Sequence, residues 1–266
     1  MHIEIHGRRD ADAPTLVFSS GLGGAAHFWM PQLNALTSDY RVVLYDQLGT
    51  GKSPAALPAD YSIDAMASEV RTLLASHGIG DYHLIGHALG GLVGLALAIQ
   101  QAPGLRSLTL MNAWSRVSPH TARCFSVRKQ LLAGSGPAAY VEAQALFLYP
   151  PDWIAANIAQ LEADDLKHVA GFPPTTICCA ALPPCRRCAD AQTLASIRQP
   201  TLLIANRDDM LVPWQCSREL TEQLPNARLQ CFDYGGHASS VTCPDTINTT
   251  LKRFLASVIH DTEYAA

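Results

Sequence analysis

An aspartate and a histidine in the last third of the chain have the placement of a catalytic acid-base pair. Asp209 begins DMLVP and follows one short apolar run, and His237 ends GGH and follows the next such run. A carboxylate that fixes the tautomer of an imidazole makes it an effective general base. We therefore predict that Asp209 orients His237 and that His237 activates a nucleophile. The adjacent Asp208 is expected to cap a loop or to face solvent.

The stretch LIGHALGG, residues 84–91, has the glycine pattern of a nucleophile elbow with Ala88 where a serine is expected. The methyl group of Ala88 cannot attack a substrate, and the glycines are explained equally well by the packing of a sharp turn. The backbone N–H of Leu89, at the start of a helix, and that of Leu22, in FSSGLGG, are predicted to form an oxyanion hole. The nucleophile is then predicted to be a water molecule in the space that the missing serine leaves beside His237.

Other polar residues near these motifs are weaker candidates. His87, beside the elbow, and Arg116, whose guanidinium can pair with a carboxylate, are the candidates for substrate binding. Arg123 and Arg128 are further arginines of the same region, and solvated side chains are the favoured interpretation for all three. None of the nearby serines lies on the elbow, so we do not expect a displaced nucleophile at Ser20, Ser239 or Ser240.

Length and composition set the class of protein. A chain of 266 residues with 48% hydrophobic content can bury one large core, and a net charge of −4 argues against a nucleic-acid partner. The N-terminus lacks the apolar run of a signal peptide, and no apolar stretch is long enough to span a membrane. We expect a cytoplasmic protein with a small-molecule substrate and no membrane partner, and a homodimer is the assembly considered.

Neither a cofactor nor a metal is expected. The glycines at 21, 23 and 24 belong to the predicted oxyanion loop, and the chain contains no G-x-x-x-x-G-K-[ST] loop. It also contains no H-E-x-x-H pair of the kind that holds a catalytic zinc ion.

Short runs rich in β-branched residues alternate with longer helical patterns along the chain. This rhythm predicts an α/β fold with a mostly parallel sheet between two layers of helices, and the opening IEIH predicts an antiparallel edge strand. Between residues 113 and 195 the short apolar runs typical of strands no longer recur, and helical patterns take their place. We therefore predict a core formed by residues 1–112 and 196–266 with a helical cap, residues 113–195, inserted between its two parts.

Residues 171–190 do not fit the predicted cap. The stretch GFPPTTICCAALPPCRRCAD holds four prolines and four cysteines where helix is expected. Cys185 and Cys188 have the spacing of metal ligands, but Cys178 and Cys179 are adjacent, so a metal site is disfavoured. A local frameshift is the second hypothesis, because restarting the codons one base out of phase permits a helical pattern.

Five segments occur in the order found in the α/β-hydrolase fold family, which this sequence therefore resembles. They are FSSGLGG, YDQLGTGKS, GHALG, DMLVP and GGH. Within that family, GHALG, YDQ-x-GTG and HTARCFSVR resemble the hydrolases of bacterial pyrimidine utilisation. The resemblance implies hydrolysis of carbamate or of aminoacrylate in uracil degradation. Two alternatives remain open: a cofactor-free oxygenase on the same fold, and a non-catalytic ligand-binding protein.

Overall fold

The computed structural model describes residues 1–58, 60–172 and 189–263, and its centre is one seven-stranded sheet. The strands are β1 (Ile3–Gly7), β2 (Thr15–Ser19), β3 (Arg41–Tyr45), β4 (Tyr82–His87), β5 (Leu105–Met111), β6 (Thr201–Asn206) and β7 (Ala227–Phe232). Their order across the sheet is β1-β3-β2-β4-β5-β6-β7. β1 pairs antiparallel with β3 at one edge, and the other neighbours are parallel. The predicted α/β class and the antiparallel edge strand are confirmed.

Helices cover the sheet on both faces. They are α1 (Met30–Leu36), α2 (Ile63–Ser76), α3 (Leu89–Ile99), α4 (Pro119–Leu148), α5 (Pro151–Ala156), α6 (Ile158–Ala170), α7 (Ala191–Leu194), α8 (Trp214–Gln223), α9 (Ser239–Thr242) and α10 (Pro244–Glu263). A 3₁₀ turn, Ala26–Trp29, precedes α1. The Ser62 hydroxyl caps α2 by accepting the Ala65 N–H, and Gly78 follows the helix with a φ of 65°.

Successive side chains along each strand alternate in direction, and this divides the hydrophobic core between the two faces of the sheet. Leu16 and Phe18 of β2 pack in a cluster that includes residues of α1 and α10, whereas Val17 packs in the cluster with α2 and α3. Successive strand side chains point to opposite faces, so a strand covered on both sides is apolar throughout. All five residues of β2 are buried. The double-sided burial fixes the strands rigidly, and their carboxyl ends carry the loops described below.

Helices alone connect β5 to β6 within the described part of residues 113–195. α4 is kinked at Gly136, whose φ of 83° interrupts the helix just before Pro137. The anomalous stretch identified in the sequence lies largely outside the described residues, because 173–188 are not among them. The metal-ligand and frameshift hypotheses for that stretch, and the proposed limits of the cap, therefore stay predictions.

His83 on β4 makes the folded state sensitive to acid. Burial, with a smaller contribution from the charge of Arg106, lowers the pKa of His83 to about 4. An unfolded chain has a histidine pKa near 6.5, so it binds a proton that the folded chain excludes, and stability falls as the pH drops from about 6.5 towards 4.

We expect the free energy of unfolding of the wild type to fall between pH 8 and pH 5 by about 2 kcal/mol more than that of His83→Gln. Urea unfolding curves at the two pH values measure this difference. His77→Gln, at an exposed position, is the control and should keep the wild-type dependence. An unchanged pH dependence in His83→Gln would contradict the assignment.

Candidate active site

The loops after β6 and β7 bring the predicted acid and base into contact. Nδ1 of His237 lies 2.8 Å from Oδ2 of Asp209, and the two side chains are 2% and 0% exposed. The other carboxylate oxygen of Asp209 accepts the backbone N–H groups of Leu211 and Val212 at 2.7 and 2.8 Å. With Nδ1–H donated to this fixed carboxylate, Nε2 of His237 remains as the basic nitrogen.

The loop that carries His237 is held by two polar side chains from the end of β6. The carboxylate of Asp208 accepts the N–H groups of Gly235 and Gly236 at 3.0 and 2.9 Å, and Nδ2 of Asn206 donates to the Gly236 carbonyl at 2.8 Å. Both glycines have positive φ values, 140° and 65°, which L side chains rarely adopt. Asp208 thus caps a loop, one of the two roles expected for it, and the loop it caps bears His237.

The backbone carbonyl of His237 is a second anchoring point. It accepts hydrogen bonds from Nδ2 of Asn112 and from Nε2 of His87, the latter at 2.9 Å. The His87 ring stacks on Phe28 and meets the His237 ring edge-on, with centroids 4.6 Å apart. Burial, together with the nearby His237, lowers the pKa of His87 to about 3. His87 is therefore a neutral donor that positions His237, and its Nε2 is not available as a second base.

The turn after β4 has the geometry of a nucleophile elbow although it carries no nucleophile. Ala88 has φ 47° and ψ −111°, a conformation in which a non-glycine residue is strained by about 1–3 kcal/mol. A Cβ atom at Gly86 would collide with the Gly90 carbonyl, and one at Gly90 would collide with the Ser19 carbonyl. This close packing forces the turn, and the turn places the first amides of α3, beginning with Leu89, at the sheet edge without helical acceptors.

The loop after β2 lies directly beside the elbow. A Cβ atom built on Gly21 would lie 3.6 Å from that of Ala88 and 2.9 Å from Nδ1 of His87. Gln47 donates to the Ser20 carbonyl at 3.0 Å, and the Ser20 hydroxyl donates to the Ala25 carbonyl at 3.0 Å. These bonds hold the segment that contains Leu22 beside the elbow; the oxyanion hole formed by the amides of Leu22 and Leu89 stays a prediction.

Asp46 joins this loop to the turn of YDQLGTGKS. Its carboxylate accepts the N–H of Ala26 and the N–H of Lys52, both at 2.7 Å. Leu48, which stands where the family pattern has arginine, packs against the main hydrophobic cluster instead.

The remaining candidates lie in different surroundings. Arg116 is 67% exposed, contacts Glu219 at 3.4 Å, and lines a cavity of about 520 Å³ that none of the catalytic-pair residues lines. Ser20 is engaged as described, and the hydroxyls of Ser239 and Ser240 are buried without a hydrogen-bond partner among the described residues. The solvated side chain expected for Arg128 is a wrong prediction, since this residue is 4% exposed.

Sequence reasoning missed Asn112 and Asn206 as part of the site. Each stands at the carboxyl end of a strand, and each donates to a backbone carbonyl of the histidine loop. Position at a strand end was the only signal in the sequence, because both bonds join residues far apart in the chain. Among the described residues, no group of three or more His, Cys, Asp or Glu side chains is placed to hold a metal ion.

Comparison with known proteins places the chain in a family. A family model described as the alpha/beta hydrolase fold matches residues 14–140, and one described as TAP-like protein matches residues 172–262. A relative from Stutzerimonas stutzeri (strain A1501) is 58% identical over 96% of this chain and 97% of its own length. One from Escherichia coli O81 (strain ED1a) is 46% identical over 96% of both chains. Both carry the name "Putative carbamate hydrolase RutD".

The chain belongs to the RutD family of α/β hydrolases. Solved structures agree with the fold. The enol-lactonase from Burkholderia xenovorans LB400 superposes with a TM-score of 0.80 at 26% identity and 96% coverage of both chains. MGS-M2, an alpha/beta hydrolase from a deep-sea metagenome library, gives a TM-score of 0.85 at 20% identity, over 96% of this chain and 94% of its own.

Further expectations concern the membrane, the cellular location and the assembly of this RutD family member. No helix in the described part of the chain is long and apolar enough to cross a membrane. The cytoplasmic location and the homodimer stay predictions.

Proposed function

We propose that this protein is a hydrolase of pyrimidine utilisation that cleaves the C–N bond of carbamate or of aminoacrylate without a serine nucleophile. The observation that carries the proposal is an intact acid-base pair whose His237 contacts His87, the residue before Ala88, at an elbow that keeps its strained shape. Relatives named as carbamate hydrolases, matched over nearly the whole chain, supply the substrate class.

The proposed nucleophile is water bound where a serine hydroxyl would stand. Nε2 of His237 takes a proton from this water, Asp209 stabilises the imidazolium, and the resulting hydroxide attacks the carbon that bears the amino group. In carbamate, the amides of Leu22 and Leu89 stabilise the negative charge on the substrate oxygens. In the imine of aminoacrylate, the displaced electron pair goes to nitrogen, which the imidazolium protonates. The imidazolium then returns its proton to the departing nitrogen, which leaves as ammonia.

Both substrates are consistent with this sequence of steps. In carbamate, the attack and the loss of ammonia leave carbon dioxide in its hydrated form, bicarbonate. In aminoacrylate, water adds to the imine tautomer, and loss of ammonia from the adduct gives malonic semialdehyde. Both substrates also decompose readily in solution, so a general base and an oxyanion hole can supply a sufficient advantage without an acyl-enzyme.

Ammonia release from freshly generated carbamate and aminoacrylate, in separate assays, tests the proposal. We expect the wild type to exceed the spontaneous rate on at least one of them, and the faster substrate identifies the reaction. Oxygen uptake is followed in a parallel sample that contains an aromatic heterocycle instead. A rate equal to the spontaneous one on both substrates would contradict the hydrolase, and oxygen uptake with an aromatic heterocycle would favour the oxygenase alternative.

A further inference from the structure

Arg128 of α4 is a buried cation without an acidic partner in the described structure. Its Nη2 donates to the Tyr140 hydroxyl at 2.8 Å, while its Nε is buried with no hydrogen-bond partner among the described residues. The guanidinium carbon lies 5.0 Å from the centroid of the Tyr140 ring and 5.8 Å from those of Phe125 and Phe147. One hydroxyl and three aromatic rings are thus its described neighbours.

Several exposed arginines of this protein have carboxylate partners, whereas the buried Arg128 has none among the described residues. Arg116 pairs with Glu219 and Arg106 with Asp81, all four side chains being well exposed. No Asp or Glu oxygen in the described residues lies within 4.0 Å of Arg128, and residues 173–188 contain no Asp or Glu at all. Burying an arginine without an anion is costly, and aromatic rings offset only part of that cost.

The face of α4 that buries Arg128 also contacts the loop that follows Asp209. Thr121, Cys124 and Arg128 are buried at helical spacing, which places them along one face. The Thr121 hydroxyl donates to the Leu211 carbonyl at 2.9 Å, and the Cys124 thiol donates to the Met210 carbonyl at 3.6 Å. Arg128 stands one turn beyond Cys124 on this face.

The other end of α4 contacts the histidine loop. The Ala238 N–H, directly after His237, donates to the Leu148 carbonyl at 3.0 Å. Leu148 is preceded by Phe147, whose ring packs beside the Arg128 guanidinium. Arg128 therefore sits in the part of α4 and its surroundings that is tied to both catalytic loops.

We infer that Arg128 is the binding group for the carboxylate of the substrate. This inference rests on the proposed function, since it names the part of the substrate that the same site recognises. The free Nε–H and the adjacent guanidinium donors form the planar fork that fits a carboxylate, and the aromatic rings remove water from it. The site then selects small carboxylates over neutral amides of the same shape. Carbamate and aminoacrylate share this carboxylate, which in aminoacrylate is separate from the carbon that water attacks.

Binding of a stable probe pair tests the inference independently of turnover. Acrylate carries the carboxylate, and acrylamide is its neutral counterpart of nearly the same shape. We expect the wild type at pH 7.5 to bind acrylate at least about tenfold more tightly than acrylamide in calorimetric titrations, as a charge-assisted bidentate contact requires. Arg128→Gln should lose this preference, and Arg106→Gln, the control at an exposed arginine, should keep it.

Thermal unfolding of Arg128→Met separates recognition from a structural role. Methionine fills a similar volume without charge, so the ligand-free variant should unfold at the same or a higher temperature than the wild type while losing the preference for acrylate. A clearly lower unfolding temperature together with retained preference for acrylate would overturn the inference, as would a wild type that binds both probes equally.

The two proposals fail separately. Ammonia release by the wild type without preferential binding of acrylate would overturn the role of Arg128 and leave the hydrolase proposal standing. Preferential binding that depends on Arg128, without ammonia release, would support the carboxylate site and contradict the hydrolysis.

Discussion

Replacing His237 by alanine is expected to return ammonia release to the spontaneous rate. The imidazole is the only group that the described structure pairs with a buried acid at this site, and it supplies both the proton acceptor for water and the proton donor for the leaving nitrogen. General acid-base catalysis contributes about 10² to 10⁴-fold, and the loss should fall in that range. Initial rates of ammonia release, corrected for the uncatalysed reaction, measure it.

Two further variants make this prediction specific. Asp209→Asn should lose a comparable factor, because an amide donates to Nδ1 and leaves the wrong tautomer of the histidine. His77→Ala removes an exposed imidazole at the end of α2 and should retain the wild-type rate. His237→Gln, which fills more of the space of the imidazole, should be as inactive as the alanine variant. A His237→Gln protein with the wild-type rate would show that another group activates the water.

Replacing Ala88 by serine is expected to exchange one activity for another. The backbone at residue 88 already has the conformation of a nucleophile elbow, so the added hydroxyl would complete a Ser-His-Asp triad. It would also occupy the space assigned to the attacking water. We expect hydrolysis of p-nitrophenyl acetate to rise by at least about 10²-fold, a small part of the roughly 10⁶-fold that a triad nucleophile contributes in a serine protease. Ammonia release should fall at the same time.

Nitrophenol absorbance and intact mass of the acetylated chain measure the gain, and ammonia assays measure the loss. Ala96→Ser introduces the same hydroxyl at a buried position within α3, 6% exposed like Ala88, and should change neither activity. The double variant Ala88→Ser with His237→Ala should lose the esterase activity. If Ala88→Ser released ammonia at the wild-type rate, the water could not occupy the serine position.

The local sequence predicted the sheet well because strands buried on both faces leave a clear signal. The run Thr15–Ser19 is apolar apart from its ends, and it forms β2, which is buried along its length. The two ends of α2 have equally local signals, since a serine at the N-cap and a glycine after the last turn each act within one turn of the helix. The kinked α4 was not, because only its later part carries a clear pattern, and its first part owes its buried face to packing against the loop after Asp209.

The contrast between Arg116 and Arg128 shows what a sequence pattern lacks at the site. Both are arginines of the segment between β5 and β6; the sequence made Arg116 a possible substrate-binding residue and favoured a solvated side chain for both. The structure exposes Arg116 beside Glu219 and buries Arg128 among aromatic rings. Which face of a helix meets the core is decided by the elements packed against it, and the side chains alone do not encode this.

By itself, the sequence determined the fold class, the order of the loops that carry Asp209 and His237, and the alanine at the elbow, because these depend on local periodicity and on residue identity. Tertiary structure alone decided that Asn112 and His87 hold the carbonyl of His237, that Asp208 caps its loop, and that Arg128 is buried. The physical reason is that hydrogen bonds and burial depend on distances in space. Residues such as His87 and His237, 150 positions apart in the chain, become neighbours only when parallel strands bring their carboxyl ends to one edge of the sheet.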